Sequence, residues 1–396
     1  MDKKITIGLF IDTFYPMIDG VITVVDNYAK RLSKYANVYV FAPTVKIKGK
    51  KFDDKKLNYQ VIRCKSLKVP FIDYSLPIPK VDPSFIKEIN KYHLDIVHIH
   101  SPFTMGEAGI KYAKNHHIPV VATMHSQFKQ DFKRAVKNDV LARTLTKKLI
   151  RTFNKCDECW AVNNEVGRIF HEDYGYKKVP YTMNNATEML PVNNQEKAIA
   201  KINEIHNLKD EIVFIFVGRI NNLKNIFFIV DALEKLKEID SKFRFKMLFV
   251  GTGQDEEELK KRIKKQHLED EIIMCGKVVD RNLLASYYAR ANLFLFPSKY
   301  DSSSIVQIEA ASQHLPVLFL KGTATSATVT DNVNGFIEED DVNKYARRIL
   351  EIMKNKKLYH EVCDNAYKDL YKNWDDTIKD VYERYLKLIN DKRVDK

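Results

Sequence analysis

From Lys4 to Asp12 the chain reads KITIGLFID, an almost unbroken apolar run, and Gly20 to Tyr35 then carries its apolar residues at helical spacing. The same alternation continues. Apolar runs predict strands at Asn37 to Pro43, Tyr59 to Cys64, Ile96 to His100, Pro119 to His125 and Cys159 to Val162. Helical spacing falls between them at Pro83 to Tyr92, Gly106 to His117, Phe128 to Asn154 and Asn163 to Tyr174. Such a series predicts an α/β doubly wound domain that ends near Val192. A second series follows, with strands at Val213 to Gly218, Phe245 to Gly251, Glu271 to Gly276, Leu293 to Pro297, Pro316 to Leu320 and Gly335 to Glu338. Its helices are predicted at Asn225 to Glu238, Glu256 to Gln266, Leu283 to Arg290 and Ser304 to Gln313, and the polar segment Asn193 to Asp210 reads as a joint. After Asp341 the pattern is helical, and Trp374-Asp375-Asp376 marks a break before a last helix at Thr377 to Asn390. The expected architecture is α/β, two Rossmann-like doubly wound domains facing each other across a cleft. The first spans 1–192, with a C-terminal helix at 375–396 packing back on it, and the second spans 193–374.

Composition agrees with this division. A chain of 396 residues exceeds what one hydrophobic core usually spans. With 45% hydrophobic and 30% charged residues it belongs with soluble globular proteins, and no disordered class is needed. Met1-Asp2-Lys3-Lys4 leads directly into the first strand, and no apolar stretch approaches the roughly 18 residues of a spanning helix. The expectation is a cytoplasmic protein that is not integral to a membrane. Cys64, Cys156, Cys159, Cys275 and Cys363 form no regular framework, and Cys156-x-x-Cys159 reads as a pair of packed thiols. The net charge of +13 points to an anionic partner: nucleic acid, a membrane surface or a phosphorylated substrate. Scattered surface lysine would give the same number.

Chemistry-bearing residues gather at the carboxyl ends of predicted strands, where doubly wound sheets bind ligands. Asp301 and Glu309 bracket a strand-to-helix turn in which Ser302, Ser303 and Ser304 are available to cap the helix that opens at Ile305. Two carboxylates so placed suit the hydroxyls of a sugar and a ribose; a capped helix with a buried, paired Glu is the plainer reading. Thr13-FYPMID-Gly20 is a glycine-ended loop feeding a helix, again a place for a phosphate, and it lacks the G-x-G-x-x-G of nicotinamide-cofactor sites. Gly218-RINNLK-Asn225 sets Arg219 and Lys224 on one loop, the fork and point charge that suit a diphosphate, or else a solvated basic loop. Gly251-Thr252-Gly253 permits close approach of a ligand or makes a tight turn. His100-Ser101 and His125-Ser126 end two strands of the first domain.

Together these segments resemble the retaining GT-B-fold glycosyltransferases of the family 4 type. The resemblance covers nearly the whole chain. It rests on Gly20-Val21, the H-x-H-S-P-F and A-T-x-H-S strand ends at His98 to Phe103 and Ala122 to Ser126, and G-R-x-x-x-x-K-N at Gly218 to Asn225. It also rests on G-x-G at Gly251 to Gly253 and on an acidic residue, seven positions and E-A at Asp301 to Ala310. It implies a hexosyltransferase that uses a nucleotide sugar. Glu309 would hold the ribose, Asp301 the donor sugar, and Arg219 and Lys224 the leaving diphosphate. Gly20 and the helix end near Ser303, Ser304 and Ile305 would assist them, and Gly251 and Gly253 would line the donor site. His125 would sit beside the reacting carbon. The resemblance implies no metal and no other cofactor, because two cations and a helix end take over the Lewis-acid task. Three departures stand out: Asp301 where the family usually has Glu, Gln313-His314 where it prefers Gly, and Asn184-Asn185-Ala186-Thr187 in place of a Pro-Asn-Gly type turn.

The segment Phe128 to Lys155 addresses the acceptor. Phe128, Phe132, Val136, Leu141, Leu145, Leu149 and Phe153 recur at helical spacing, with Lys133, Arg134, Lys137, Arg143, Lys147, Lys148 and Arg151 between them. Such a stretch lies on an anionic membrane, or packs a core stripe beneath a solvated basic face. The loop Asp12 to Val21 with His98 to Phe103 most resembles the diacylglycerol glucosyltransferases. The leading expectation is therefore transfer of glucose or a similar hexose from a nucleotide sugar, UDP-linked, to a membrane lipid at the inner face. A soluble transferase or an epimerase of the same fold, serving capsule or exopolysaccharide, is the alternative. Nucleic acid is not expected as a partner, since no recognition-helix or aromatic RNA-binding pattern is present.

Overall fold

The structure is a computed structural model and describes residues 4–17, 19–47, 49–68 and 75–394. Met1, Asp2 and Lys3 and, in the loop before the first helix, Ile18 lie outside the described residues. The chain divides into two compact units, Met1–Asn185 with Trp374–Lys396, and Ala186–Asn373.

The first unit is built on a seven-stranded sheet. Its spatial order is Tyr181–Thr182, Glu158–Ala161, Val120–Met124, Ile96–Ile99, Thr6–Phe10, Asn37–Pro43 and Gln60–Cys64, every pair parallel. Helices cover a parallel sheet on both faces, so its central strands are mostly apolar; Ile7, Leu9, Phe10, Ile96 and Val97 have no exposed surface. Strand order reverses beside Thr6–Phe10, so the ligand-binding switch point lies where this strand and Ile96–Ile99 end. The last helix, Trp374–Val394, belongs to this unit. Tyr385 stacks on Trp160 with ring centroids 5.4 Å apart, Arg384 pairs with Glu158, and Lys392 reaches Asp157 at 2.6 Å.

The second unit repeats the scheme with six parallel strands, in the order Ile272–Gly276, Phe245–Val250, Ile212–Val217, Leu293–Phe296, Val317–Leu320 and Phe336–Glu338. Its switch point lies between Ile212–Val217 and Leu293–Phe296. The segment predicted as a polar joint is instead a helix, Gln195–His206, capped by Asn194. Ile202 is fully buried, the His206 ring bonds the Tyr287 hydroxyl at 2.7 Å, and Asn203 accepts from the buried Arg290 at 2.5 Å. Few apolar residues sufficed because polar side chains carry much of the docking. His314, where the family prefers Gly, does adopt a left-handed backbone at φ 57°; its ring stacks on Tyr367 at 4.3 Å, which offsets the strain. No helix among the described residues is long and apolar enough to cross a membrane.

Candidate active site

The loops after the two switch-point strands of the second unit are tied together. Asn225 Nδ2 donates to the Pro297 carbonyl at 3.2 Å, the Ser298 hydroxyl to the Leu223 carbonyl at 3.4 Å, and Lys224 Nζ lies 2.5 Å from Asp301 Oδ1. Lys224 and Asp301 are thus partners of one another, with side chains 19% and 17% exposed, and Lys224 Nζ stands 5.8 Å above the Phe296 ring. Asp301 Oδ2 is buried and has no hydrogen-bond partner. An unpaired carboxylate oxygen beside a cation is an acceptor still to be filled. Arg219 is exposed on the same loop.

Ser304 does not cap as predicted. Ser304 is the N-cap of the helix Ile305–Ala311, but its side chain makes no cap bond, and its hydroxyl is buried without a partner. Ser302 is likewise buried, while Ser303 and Ile305 are half-buried. One helical turn on, Glu309 is nearly fully buried. Its Oε1 accepts from Arg281 at 2.6 Å and its Oε2 from the Tyr288 hydroxyl at 3.1 Å. Burial pushes the Glu309 carboxyl above the usual range, and the Arg281 guanidinium and the Tyr288 hydroxyl oppose that shift.

Glycine is required at Gly251 and Gly253 by the protein's own backbone. A Cβ on Gly251, at φ 143°, would stand 1.9 Å from the Gly218 carbonyl oxygen, and one on Gly253 2.1 Å from that of Ile220. The loops cross in contact, and no ligand is needed to explain either glycine. Gly20 differs, for a Cβ there would meet nothing within 4 Å. The helix Gly20–Leu32 that it opens is capped from within, Asp19 accepting from the Ile22 amide at 2.8 Å. A phosphate at that helix end would face this carboxylate, contrary to the expectation for the loop.

In the first unit the switch point gathers three histidines. His98, fully buried, bonds Tyr385 through Nδ1 at 2.5 Å and Thr123 through Nε2 at 2.7 Å. His100 Nδ1 lies 3.1 Å from His125 Nε2, and the buried His100 Nε2 has no partner. Burial drives His98 and His100 well below the usual imidazole range and His125 down to about 3, so all three are neutral at physiological pH. Asp12, just past the first strand, accepts from Thr104 Oγ1 and the Met105 amide, each at 2.9 Å, and so caps the helix Thr104–His116 from across the sheet. Burial raises Asp12 to about 6.

The basic stretch is not one helix. Phe128–Val136 ends at Lys137, which turns left-handed at φ 49°, and Asn138 caps a second helix, Asp139–Phe153. The break rotates the buried face to Ala142, Thr146, Leu149, Ile150 and Phe153. Of the predicted stripe only Leu149 and Phe153 enter the core; Leu141 is 47% exposed and its neighbour Val140 74%. Lys133, Arg134, Lys137, Lys147, Lys148 and Arg151 are all exposed. The excess charge is equally local: the first unit holds 37 Lys and Arg against 24 Asp and Glu, the second 28 against 28.

Sequence reasoning missed Arg281 and Tyr288, although their spacing of seven puts both on one helix face. It also missed Asp12, whose partners lie some 90 residues away. Among the described residues no group of three His, Cys, Asp or Glu side chains is arranged to hold a metal ion.

Two parallel-sheet α/β units, each with its own switch point, are the architecture of the GT-B fold. Residues 18–183 match the family model "Glycosyltransferase Family 4" and residues 198–369 the model "Glycosyl transferases group 1", and the chain belongs to this family. Alpha-monoglucosyldiacylglycerol synthase from Acholeplasma laidlawii is 26% identical over 92% of this chain and 97% of its own. The enzyme of that name from Streptococcus pneumoniae is 25% identical over 97% and 86%. Among solved structures, Anabaena Alr3699/HepE in complex with UDP superposes with a TM-score of 0.75 at 15% identity, covering 96% of this chain and 99% of that one. Sucrose-phosphate synthase from Thermosynechococcus elongatus gives 0.75 at 18%, covering 98% and 100%.

Proposed function

We propose that the enzyme transfers glucose from UDP-glucose, with retention, to a membrane lipid such as diacylglycerol. The second unit binds the donor: Glu309 takes the ribose, Asp301 the sugar, and Arg219 and Lys224 neutralise the leaving diphosphate, with Ser303, Ser304 and Ile305 assisting. The first unit binds the acceptor and supplies His125, which as a neutral imidazole offers a hydrogen bond without adding charge. An oxocarbenium-like state attacked from the front face needs no covalent nucleophile.

One observation carries the lipid reading. All of the net charge of +13 belongs to the first unit, which also bears the basic helices, with Val140 and Leu141 exposed in the first turn of the second. Cations around exposed apolar side chains suit an anionic surface, each Lys or Arg near it contributing about 1 kcal/mol. The names of the two synthases and the UDP of the solved relatives point the same way. The enzyme would then work peripherally at the inner face of the membrane.

The test is a screen of labelled nucleotide sugars with and without diacylglycerol in anionic vesicles, read by nucleoside diphosphate release and by label in a lipid extract. Label in lipid only with UDP-glucose and vesicles is the expected result. Label in water-soluble polysaccharide would replace this reading with the capsule or exopolysaccharide one.

A further inference from the structure

We propose that Arg281 and Tyr288 are positioning residues that clamp the Glu309 carboxylate, ionised and in one orientation, for the ribose hydroxyls of the nucleotide. The inference deepens the reading above and rests on its assignment of Glu309 to the ribose.

Glu309 is a lone carboxylate in a nearly closed environment, its side chain 6% exposed. A buried carboxyl drifts toward its neutral form, and a neutral one loses half of its value to a sugar, because one oxygen then carries a proton. Two donors oppose the drift, one on each oxygen. Arg281 reaches Oε1 at 2.6 Å and Tyr288 reaches Oε2 at 3.1 Å. They lie two turns apart on the helix Arg281–Arg290, hence on the same face. Tyr288 is fully buried, so its hydroxyl cannot swing away. Arg281 is the first residue of its helix with a side chain 49% exposed, and contributes little to the core. These two are the titratable groups that act on Glu309, and Glu188 acts in turn on Arg281.

A carboxylate has about four acceptor positions, two per oxygen. The clamp uses one on each oxygen and leaves one on each. That remainder matches two adjacent hydroxyl donors, which is what a ribose presents through its 2′ and 3′ positions. A single donor on one oxygen would leave the group free to rotate, and no donor would leave it protonated.

The experiment is calorimetric titration of UDP and of 2′,3′-dideoxy-UDP from pH 5.5 to 8.5 into wild type, Arg281→Gln, Arg281→Lys, Tyr288→Phe and Glu309→Gln, with thermal melts alongside. Without the guanidinium, Glu309 takes a proton at higher pH. Arg281→Gln should therefore bind UDP several-fold more weakly than wild type at the acid end of the range, with the gap closing toward pH 8.5. Arg281→Lys should restore most of the limb by returning the charge. The dideoxy nucleotide should bind wild type and Arg281→Gln alike, which a merely structural role for Arg281 does not predict. Equal losses on both nucleotides, or no pH-dependent loss in Arg281→Gln while Glu309→Gln is weakened, would overturn the clamp alone. A Glu309→Gln enzyme that binds UDP as wild type does would overturn the ribose assignment, and the clamp with it.

Discussion

Replacing Lys224 by Ala removes a cation that serves two neighbours at once. Its ammonium lies 2.5 Å from Asp301 Oδ1, and in the proposed reaction it also meets the departing diphosphate. Loss of the Asp301 contact is a stability effect. The pair is less than one-fifth exposed, between the surface case, worth about 0–1 kcal/mol, and the buried case at about 3–5 kcal/mol, so a loss of roughly 1–3 kcal/mol is expected. Loss of the diphosphate contact acts on the transition state, where a preorganised donor aimed at developing charge is worth about 10²–10³ in kcat, or ~2.7–4 kcal/mol. Asp301→Asn and the double variant separate the two effects. If Lys224 merely neutralised Asp301, removing it from an Asp301→Asn enzyme would cost nothing further in turnover. If it stabilises the leaving group, the double variant falls well below Asp301→Asn, by a factor of about 10²–10³. The assay is nucleoside diphosphate release at saturating donor, with urea unfolding midpoints measured in parallel. A double variant within about threefold of Asp301→Asn in kcat, roughly 0.7 kcal/mol, would refute the assignment.

Activity is expected to survive exhaustive chelation, because Arg219 and Lys224 meet the diphosphate; loss in EDTA that magnesium or manganese restores would contradict this. The enzyme should sediment with phosphatidylglycerol vesicles in low salt and far less with phosphatidylcholine, falling off as the Debye length shrinks from about 30 Å at 0.01 M toward 8 Å at physiological salt. Reversing Lys147, Lys148 and Arg151 to Glu, or changing Val140 and Leu141 to Ser, should release it without lowering the melting temperature, since all five side chains are exposed; vesicle binding equal to wild type in the charge-reversed protein would sink the lipid-surface reading. Stability should fall as pH drops below about 6.5. There the unfolded chain takes up protons that His98, His100 and His125 refuse, at up to 1.36 kcal/mol per group and pH unit. Asp12, raised to about 6, and Glu309 act with the opposite sign and offset part of this. An unfolding midpoint that does not fall between pH 7.5 and 5.5 would show that the histidines are not held neutral.

The strand-helix alternation and the residues that end each strand were legible in the sequence, because both are local. A parallel strand buried on both faces must be apolar throughout, and a doubly wound sheet leaves its ligand-facing residues a few positions beyond each run. Lys224, Asp301, Glu309, His100 and His125 became candidates that way. Only the tertiary structure decided which of them touch. Lys224 and Asp301 are 77 residues apart, and nothing in either segment says that the loops meet. Glycine at Gly251 and Gly253 read equally as room for a ligand or as a tight turn, and what fills that room is the backbone of Gly218 and Ile220, a crossing that no spacing encodes. The apolar stripe from Phe128 to Phe153 assumed one unbroken helix. A left-handed Lys137 turned the second half about its axis and left Val140 and Leu141 outside. Asp12 looked like the polar end of a strand until Thr104 and Met105 were brought against it. Period and composition set what each segment becomes; the pairing of distant side chains depends on how the segments pack, and packing is a property of the whole chain.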